Sequence, residues 1–292
     1  MRLATFAAGS ADRIGVVDAG QGTIRDATDL LGSTDLTEVI ERWDDSRALL
    51  DAGLTSLTGL PLDSVTLRPP LRPARNVFCV GKNYRDHARE FGRSGYDSPT
   101  RSEELPGKPV VFTKATTAVT GPYDDVDPHH AVTSELDYEG ELGVIIGRGG
   151  RGIARGAAYA HVWGYTVVND MTARDLQRDH KQWFLGKSLD THCPMGPYAV
   201  SADEAGDVQT MEVETLVNGE RRQLAPVKDL IFDIPALIET ISAGITLLPG
   251  DIIATGTPAG VGIGFDPPRF LTSGDMVEVS ITGLGTLRNR IA

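Results

Sequence analysis

Cysteine is nearly absent from this chain, which has only Cys79 and Cys193 in 292 residues. Two thiols cannot build a disulfide framework. Their settings, Val77-Phe78-Cys79-Val80 and His192-Cys193-Pro194, suit buried thiols better than a nucleophile or a ligand pair. Long apolar runs are also missing, and no stretch approaches the roughly 18 uncharged apolar residues of a membrane-spanning helix. The opening Met1-Arg2-Leu3-Ala4-Thr5-Phe6 shows neither the apolar core nor the small-residue cleavage site of a secretory signal, so a cytoplasmic protein is expected. Basic charge is in deficit, 28 Lys and Arg against 40 Asp and Glu. The formal net charge of −12 argues against a nucleic acid or an anionic membrane as partner. No Cys/His cluster has the spacing of a zinc site, and no internal repeat is visible.

What is present describes an ordinary folded protein, 40% hydrophobic and 23% charged, long enough for one large domain and a small one. Residues 1–70 read as the small one, with short strands (Arg2 to Phe6, Arg13 to Asp18) followed by helical segments. Asp35 with Glu38 resembles a capping box, and Leu36, Val39, Ile40 and Trp43 have helical spacing. Leu67-Arg68-Pro69-Pro70-Leu71-Arg72-Pro73 cannot continue a helix or a central strand. It therefore separates this unit from a larger domain over residues 74–292.

Within the larger domain, Leu136 to Gly147 reads as a strand carrying acids where strands normally bury hydrocarbon. Alternation puts Leu136, Tyr138, Leu142, Val144 and Ile146 on one face and Asp137, Glu139 and Glu141 on the other. Carboxylates at i and i+2 sit roughly 6.5–7 Å apart and repel unless water or a cation neutralises them. Two readings fit this stretch equally: a site for a hard, oxygen-loving divalent cation, or a half-exposed antiparallel strand with a solvated acidic face.

Three other stretches bear on the choice. After an apolar strand from Asn76 to Val80, Asn83 suits a helix N-cap, which would place His87 and Glu90 on one helical face. A carboxylate beside an imidazole orients it as a base, although such pairs are also common on surfaces. The segment Phe91 to Pro106 is too polar and long for a simple connection and reads as a lid or insertion. Asp170 ends a strand from His161; it either caps the following helix or joins Glu139 and Glu141 as a third carboxylate, a Mg²⁺ or Mn²⁺ pattern. Gly147-Arg148-Gly149-Gly150-Arg151-Gly152 matches a dinucleotide-binding fingerprint. Ala154 to Ala160 is too short for the crossover helix that such a site requires, so these glycines read as a loop. A second glycine-rich run, Thr255 to Gly262, could bring backbone N–H groups to an anion. Asn218-Gly219 reads as a hairpin turn, and about Ile234 to Gly244 as an apolar helix.

Taken together and in this order, these pieces resemble the fumarylacetoacetate hydrolase family. They are Gly81-Lys82-Asn83-Tyr84 with His87 and Glu90; the Leu136 to Gly147 strand; Val168-Asn169-Asp170 with Arg174 and Gln177; Gly186-Lys187-Ser188 through Pro197; and Pro249-Gly250-Asp251 through Gly262. The resemblance implies an α+β, mostly β fold, a mixed β-sandwich roll preceded by a small N-terminal α+β domain, and a homodimer. It implies Mg²⁺ or Mn²⁺ held by Glu139, Glu141 and Asp170, with Asp137 a structural acid. It further implies a His87–Glu90 dyad on a lid, a catalytic Lys187, and Tyr84, Arg174, Gln177 and Thr257 as substrate contacts. Leu189 and His192 stand where the family usually has aromatics. In the family's chemistry a 2-oxo acid chelates the cation, and Lys187 helps to stabilise the enolate formed. The expectation is hydrolysis of an acylpyruvate such as fumarylpyruvate, His87 activating water, to give pyruvate and a carboxylic acid. The alternative on the same site is decarboxylation or isomerisation of a 2-oxo acid of the oxaloacetate or 2-hydroxyhepta-2,4-diene-1,7-dioate type.

Overall fold

The structure, a computed structural model, describes residues 1–9, 11–93 and 105–292. The fold is α+β and mostly strand. Among the described residues, twelve strands form the main sheet. From edge to edge its path runs Gly59–Pro61, Thr23–Asp26, Ala11–Asp18, Arg2–Ala8, Cys193–Ser201, Val162–Asn169, Gly140–Ile146, Ile252–Ala254, Val77–Gly81 and Val110–Lys114. A second sheet of four strands, Glu220–Pro226, Glu212–Val217, Met276–Ile281 and Gly285–Arg290, packs across it. Its hairpin turns at Asn218 and Gly219, whose φ values of 52° and 78° suit the Asn-Gly pair expected there.

Apolar alternation on the central Gly140–Ile146 strand divides the core in two. Leu142, Val144 and Ile146 join one cluster with Val213, Val277 and Val279 of the second sheet, and Ile145 joins the other with Leu3, Leu36, Ile40 and Val77. The second cluster draws on both sides of the segment between residues 70 and 74, and Arg2–Ala8 pairs directly with Cys193–Ser201 (Leu3↔Ala199). The N-terminal unit thus continues the sheet of the larger domain. Its helix Leu36–Glu41 is capped by Asp35, which accepts from Thr37 N at 2.8 Å. Glu38 does not close a capping box; it turns to Ser33 Oγ at 2.6 Å, because that hydroxyl already satisfies Asp35 N.

The dinucleotide reading fails on strand direction. Gly140–Ile146 and Val162–Asn169 are antiparallel (Glu141↔Val168), whereas that fold joins parallel strands. Residues 155–161 between them form a short 3₁₀ helix. Most of the expected lid, residues 94–104, lies outside the described residues. Among the described residues no helix is long and apolar enough to cross a membrane.

Candidate active site: three buried acids beside a His–Glu pair

The acid-bearing strand is interrupted where the acids begin. Leu136–Asp137 pairs with Thr172–Ala173, Gly140–Ile146 enters the main sheet, and Tyr138 and Glu139 bridge the gap. Side chains take over the missing ladder: Glu139 N donates to Asn169 Oδ1 (3.0 Å) and Gly140 N to Gln223 Oε1 (3.1 Å). Gly140 is required by close approach, since a Cβ there would lie 2.3 Å from Thr215 Oγ1 of the second sheet. Nothing on this stretch is solvated, which removes the acidic-face alternative: Glu139 is 5%, Glu141 1% and Asp170 0% exposed. Asp170 does not cap the helix Arg174–Asp179, whose N-cap is Ala173. Instead, ligand oxygens of Glu139, Glu141 and Asp170 lie within 4.8 Å of one another.

Three acids and three cations meet in the buried interior around this point. They run as an alternating chain: Asp137 to Arg174 Nε (2.9 Å), Arg174 Nη1 to Glu139 (2.7 Å), Glu139 to Lys187 Nζ (2.7 Å), Lys187 to Asp170 Oδ2 (2.8 Å), and Asp170 Oδ1 to Lys114 Nζ (2.7 Å). Burial pushes the Glu139 carboxyl up, but the charges of Lys187 and Arg174 outweigh it and hold the group at about 2. Burial likewise opposes the Lys187 charge, and Asp170 and Glu139 more than restore it. Glu141 stands outside the chain. It accepts one backbone bond, from Gly256 N at 2.8 Å, and burial with the neighbouring Asp170 and Glu139 raises its carboxyl well above the ordinary range. A buried carboxylate with no ion-pair partner among the described residues is costly. An oxygen-only donor set with one unneutralised member fits a hard divalent cation.

The glycine-rich loop after Ile252–Ala254 does bind anions, and they are the protein's own carboxylates. Gly256 N holds Glu141, Gly260 N holds Glu90 (3.0 Å), and Gly262 N and Ile263 N hold Asp137 (2.6 and 3.1 Å). This loop therefore sets the acids and the helix Arg85–Arg93 in one frame. On that helix His87 is buried, with Nδ1 3.3 Å from Glu90 Oε2. The helix reaches its position without the expected cap: Asn83 is buried and brackets Phe232 and Thr255 instead, donating to both carbonyls (3.0 and 2.8 Å). Ala88 N donates to Tyr84 O to open the helix.

His87, Glu139, Glu141, Arg174, Gln177, Lys187 and Thr257 line one narrow cleft, walled by Phe91, Phe112 and Trp183. Gln177 Oε1 accepts from Arg174 Nη1 at 3.1 Å, and Arg174 Nη2 is buried with no partner among the described residues. The Thr257 hydroxyl lies between Gly140 O (3.0 Å) and Gln223 Nε2 (2.8 Å). Tyr84 is not brought to this cleft: its ring packs in the main core and borders a separate depression with Arg89 and Lys228. Cys79 and Cys193 are buried free thiols, and burial pushes Cys193 up to about 12, far from a thiolate nucleophile. His192 is buried too, and burial lowers its imidazole to about 3.

Sequence reasoning missed Lys114, Asn169 and Gln223. Lys114 ends an ordinary-looking strand, Asn169 entered only as part of Val168-Asn169-Asp170 with no role of its own, and Gln223 carries no motif; only the fold shows that they meet Asp170, Glu139 N and Gly140 N.

Fold and site define a class: a mainly β scaffold that brings three buried carboxylates, a lysine and a His–Glu pair to one cleft. The chain belongs to the fumarylacetoacetate hydrolase family, for residues 76–292 match the fumarylacetoacetate (FAA) hydrolase C-terminal family. It is 54% identical over 231 residues to the oxaloacetate tautomerase YisK of Bacillus subtilis, a match covering 79% of this chain and 74% of that one. The fumarylacetoacetate hydrolase of the psychrophile Exiguobacterium antarcticum has a similar structure, with TM-score 0.85 and 43% identity over 100% of this chain and 99% of that one. The maleylpyruvate hydrolase of Sphingobium sp. SYK-6, in complex with manganese(II) and pyruvate, gives TM-score 0.81 and 31% identity, again over 100% and 99%.

Proposed function

We propose that this protein is a divalent-metal-dependent tautomerase, interconverting the keto and enol forms of a small 2-oxo acid of the oxaloacetate type. The 54% identity to the oxaloacetate tautomerase carries the choice among reactions. It moves the reading from the acylpyruvate hydrolysis expected of the sequence to the alternative on the same site. Lys187, Arg174, Gln177 and Thr257 on the cleft wall supply polar donors for a small acid.

Glu139, Glu141 and Asp170 would hold the cation, Mg²⁺ or Mn²⁺. When bound, it supplies a Lewis acid for the carboxylate and 2-oxo oxygen of the substrate. The chain's own residues handle the proton. Glu90 fixes the His87 ring through Nδ1, which leaves Nε2 for the substrate. His87 takes a proton from the carbon beside the oxo group as the double bond moves, and the oxygen gains one, so atoms balance without water or a leaving group. Lys187 places a positive charge beside the oxygen where negative charge develops. Arg174 Nη2, without a partner among the described residues, offers a further donor to a carboxylate.

Acylpyruvate hydrolysis is the second reading, supported by the likeness to the maleylpyruvate hydrolase. It needs the same base, aimed at water. We further propose a cytoplasmic homodimer, whose two-chain mass light scattering on the purified protein would test. The reaction is decided by following enol-oxaloacetate in the ultraviolet with Mn²⁺ present, alongside acylpyruvates resolved by mass. Tautomerase activity predicts accelerated loss of the enol with no second acid formed. Release of pyruvate and a carboxylic acid, with enol decay no faster than the uncatalysed rate, would replace this reading with the hydrolase.

A further inference from the structure

We infer that Lys114 is a positioning residue that fixes the Asp170 carboxylate toward the cation site; this rests on the reading of Glu139, Glu141 and Asp170 as the residues that hold the metal. Lys114 closes the edge strand Val110–Lys114 and is fully buried, while the strand's preceding four residues are all partly or largely exposed. Its ammonium donates to Asp170 Oδ1 at 2.7 Å and to Met171 O at 2.9 Å. The first bond holds a carboxylate oxygen and the second holds the backbone one residue on, so together they set the carboxylate plane.

The backbone of Asp170 is fastened as well. Its N–H donates to Glu139 O at 2.8 Å, and its carbonyl accepts from Thr172 Oγ1 at 3.0 Å. With Oδ1 taken, Oδ2 is the oxygen turned toward the other acids, since Lys187 Nζ reaches both Oδ2 (2.8 Å) and Glu139 Oε2 (2.7 Å). The two lysines therefore differ in kind. Lys187 lines the cleft, within reach of a substrate, and Lys114 does not. Lys114 acts on the site through Asp170 and the backbone just after it. The strand end that carries it is tied to the Lys187 segment, Ala115 N donating to Ser188 Oγ at 3.0 Å, so both lysines keep one spacing across the carboxylate. A buried ion pair contributes little net stability compared with apolar packing of the same volume. Orienting a ligand gives this pair a reason to exist.

Groups that orient metal ligands typically cost about 10- to 100-fold in metal affinity or activity when removed. The test measures Mn²⁺ binding to the full chain from the loss of the free-ion paramagnetic resonance signal, in wild type, Lys114→Met and Lys114→Gln. Thermal melting without metal and kcat at saturating Mn²⁺ are measured alongside. Lys114→Met is expected to weaken Mn²⁺ binding about 10- to 100-fold, with Lys114→Gln in between and kcat at saturation less affected than the Mn²⁺ requirement. Lys114→Gln, which keeps a donor, carries the test should Lys114→Met fail to fold. Mn²⁺ binding equal to or tighter than wild type, with only the melting temperature lowered, overturns the inference and leaves the metal site standing. Absence of Mn²⁺ binding in wild type removes the metal reading and this inference together.

Discussion

Charges are handled in opposite ways at the N-terminal end of the main sheet and at the site. At the N-terminal end they sit outside an apolar core: Arg13 meets Asp26 and Asp29, and Arg47 meets Asp51 and Asp203, with side-chain exposures from 28% to 91%. At the site, Asp137, Arg174, Glu139, Lys187, Asp170 and Lys114 alternate with side-chain exposures of 7% or less. The chemical groups match and the dielectric differs. Exposed pairs gain little because water screens them, while a buried chain is costly to assemble and costlier to break. A sheet that needed only stability would resemble the N-terminal end throughout. The buried chain marks where the fold gives up apolar packing for chemistry.

Breaking the buried chain gives the largest effect. Arg174→Met leaves Asp137 and Glu139 facing each other across an apolar side chain, and chemical denaturation should show a loss of about 3–5 kcal/mol. His87→Ala should lower the rate by about 10²- to 10⁴-fold with little change in the melting temperature; an unchanged rate would remove His87 from the reaction. Gly264→Ala separates the pair without deleting either member, because a Cβ there would lie 1.8 Å from Glu90 Oε1 and must push that carboxylate away. A rate loss of about 10- to 100-fold is expected, with Mn²⁺ binding retained.

The smallest effect belongs to the exposed end. The hydrogen bond from Arg47, with help from Ser201, depresses the Asp203 carboxyl to about 2. A depressed carboxyl stabilises the fold above its unfolded pKa, and that contribution is lost as pH falls from about 4 toward 2. Since Asp203 is 57% exposed, Arg47→Ala should cost under about 1 kcal/mol at neutral pH. Less still should be lost at pH 2, with no change in rate. A loss matching that of Arg174→Met would erase the contrast between the two regions.

Much of the site was legible because its elements obey local rules. Alternation put Glu139 and Glu141 on one face, and the i, i+3 spacing put His87 beside Glu90, whatever surrounds them. Asp170 could be named as a third acid, but its choice between capping and clustering depends on tertiary contacts. The partners that hold these groups were not legible. Lys114, Asn169 and Gln223 act from strand ends and the second sheet, and the backbone N–H groups of Gly256, Gly260 and Gly262 have no side chain to announce them. Tyr84 and Asn83 show the same limit in reverse. Each sits in a motif that suggested a role at the helix start or the substrate, and each is absorbed into packing. Similarly, the proline-rich segment after residue 66 suggested two units, where sheet pairing joins them.

The central claim is that Glu141 lies outside the ion chain because a cation completes it. A Mn²⁺ titration of wild type, Glu141→Gln and His87→Ala, followed by paramagnetic resonance, tests this most directly. One tight site per chain is predicted in wild type and in His87→Ala, and none in Glu141→Gln. Equal binding by wild type and Glu141→Gln, or no binding by wild type, would contradict it.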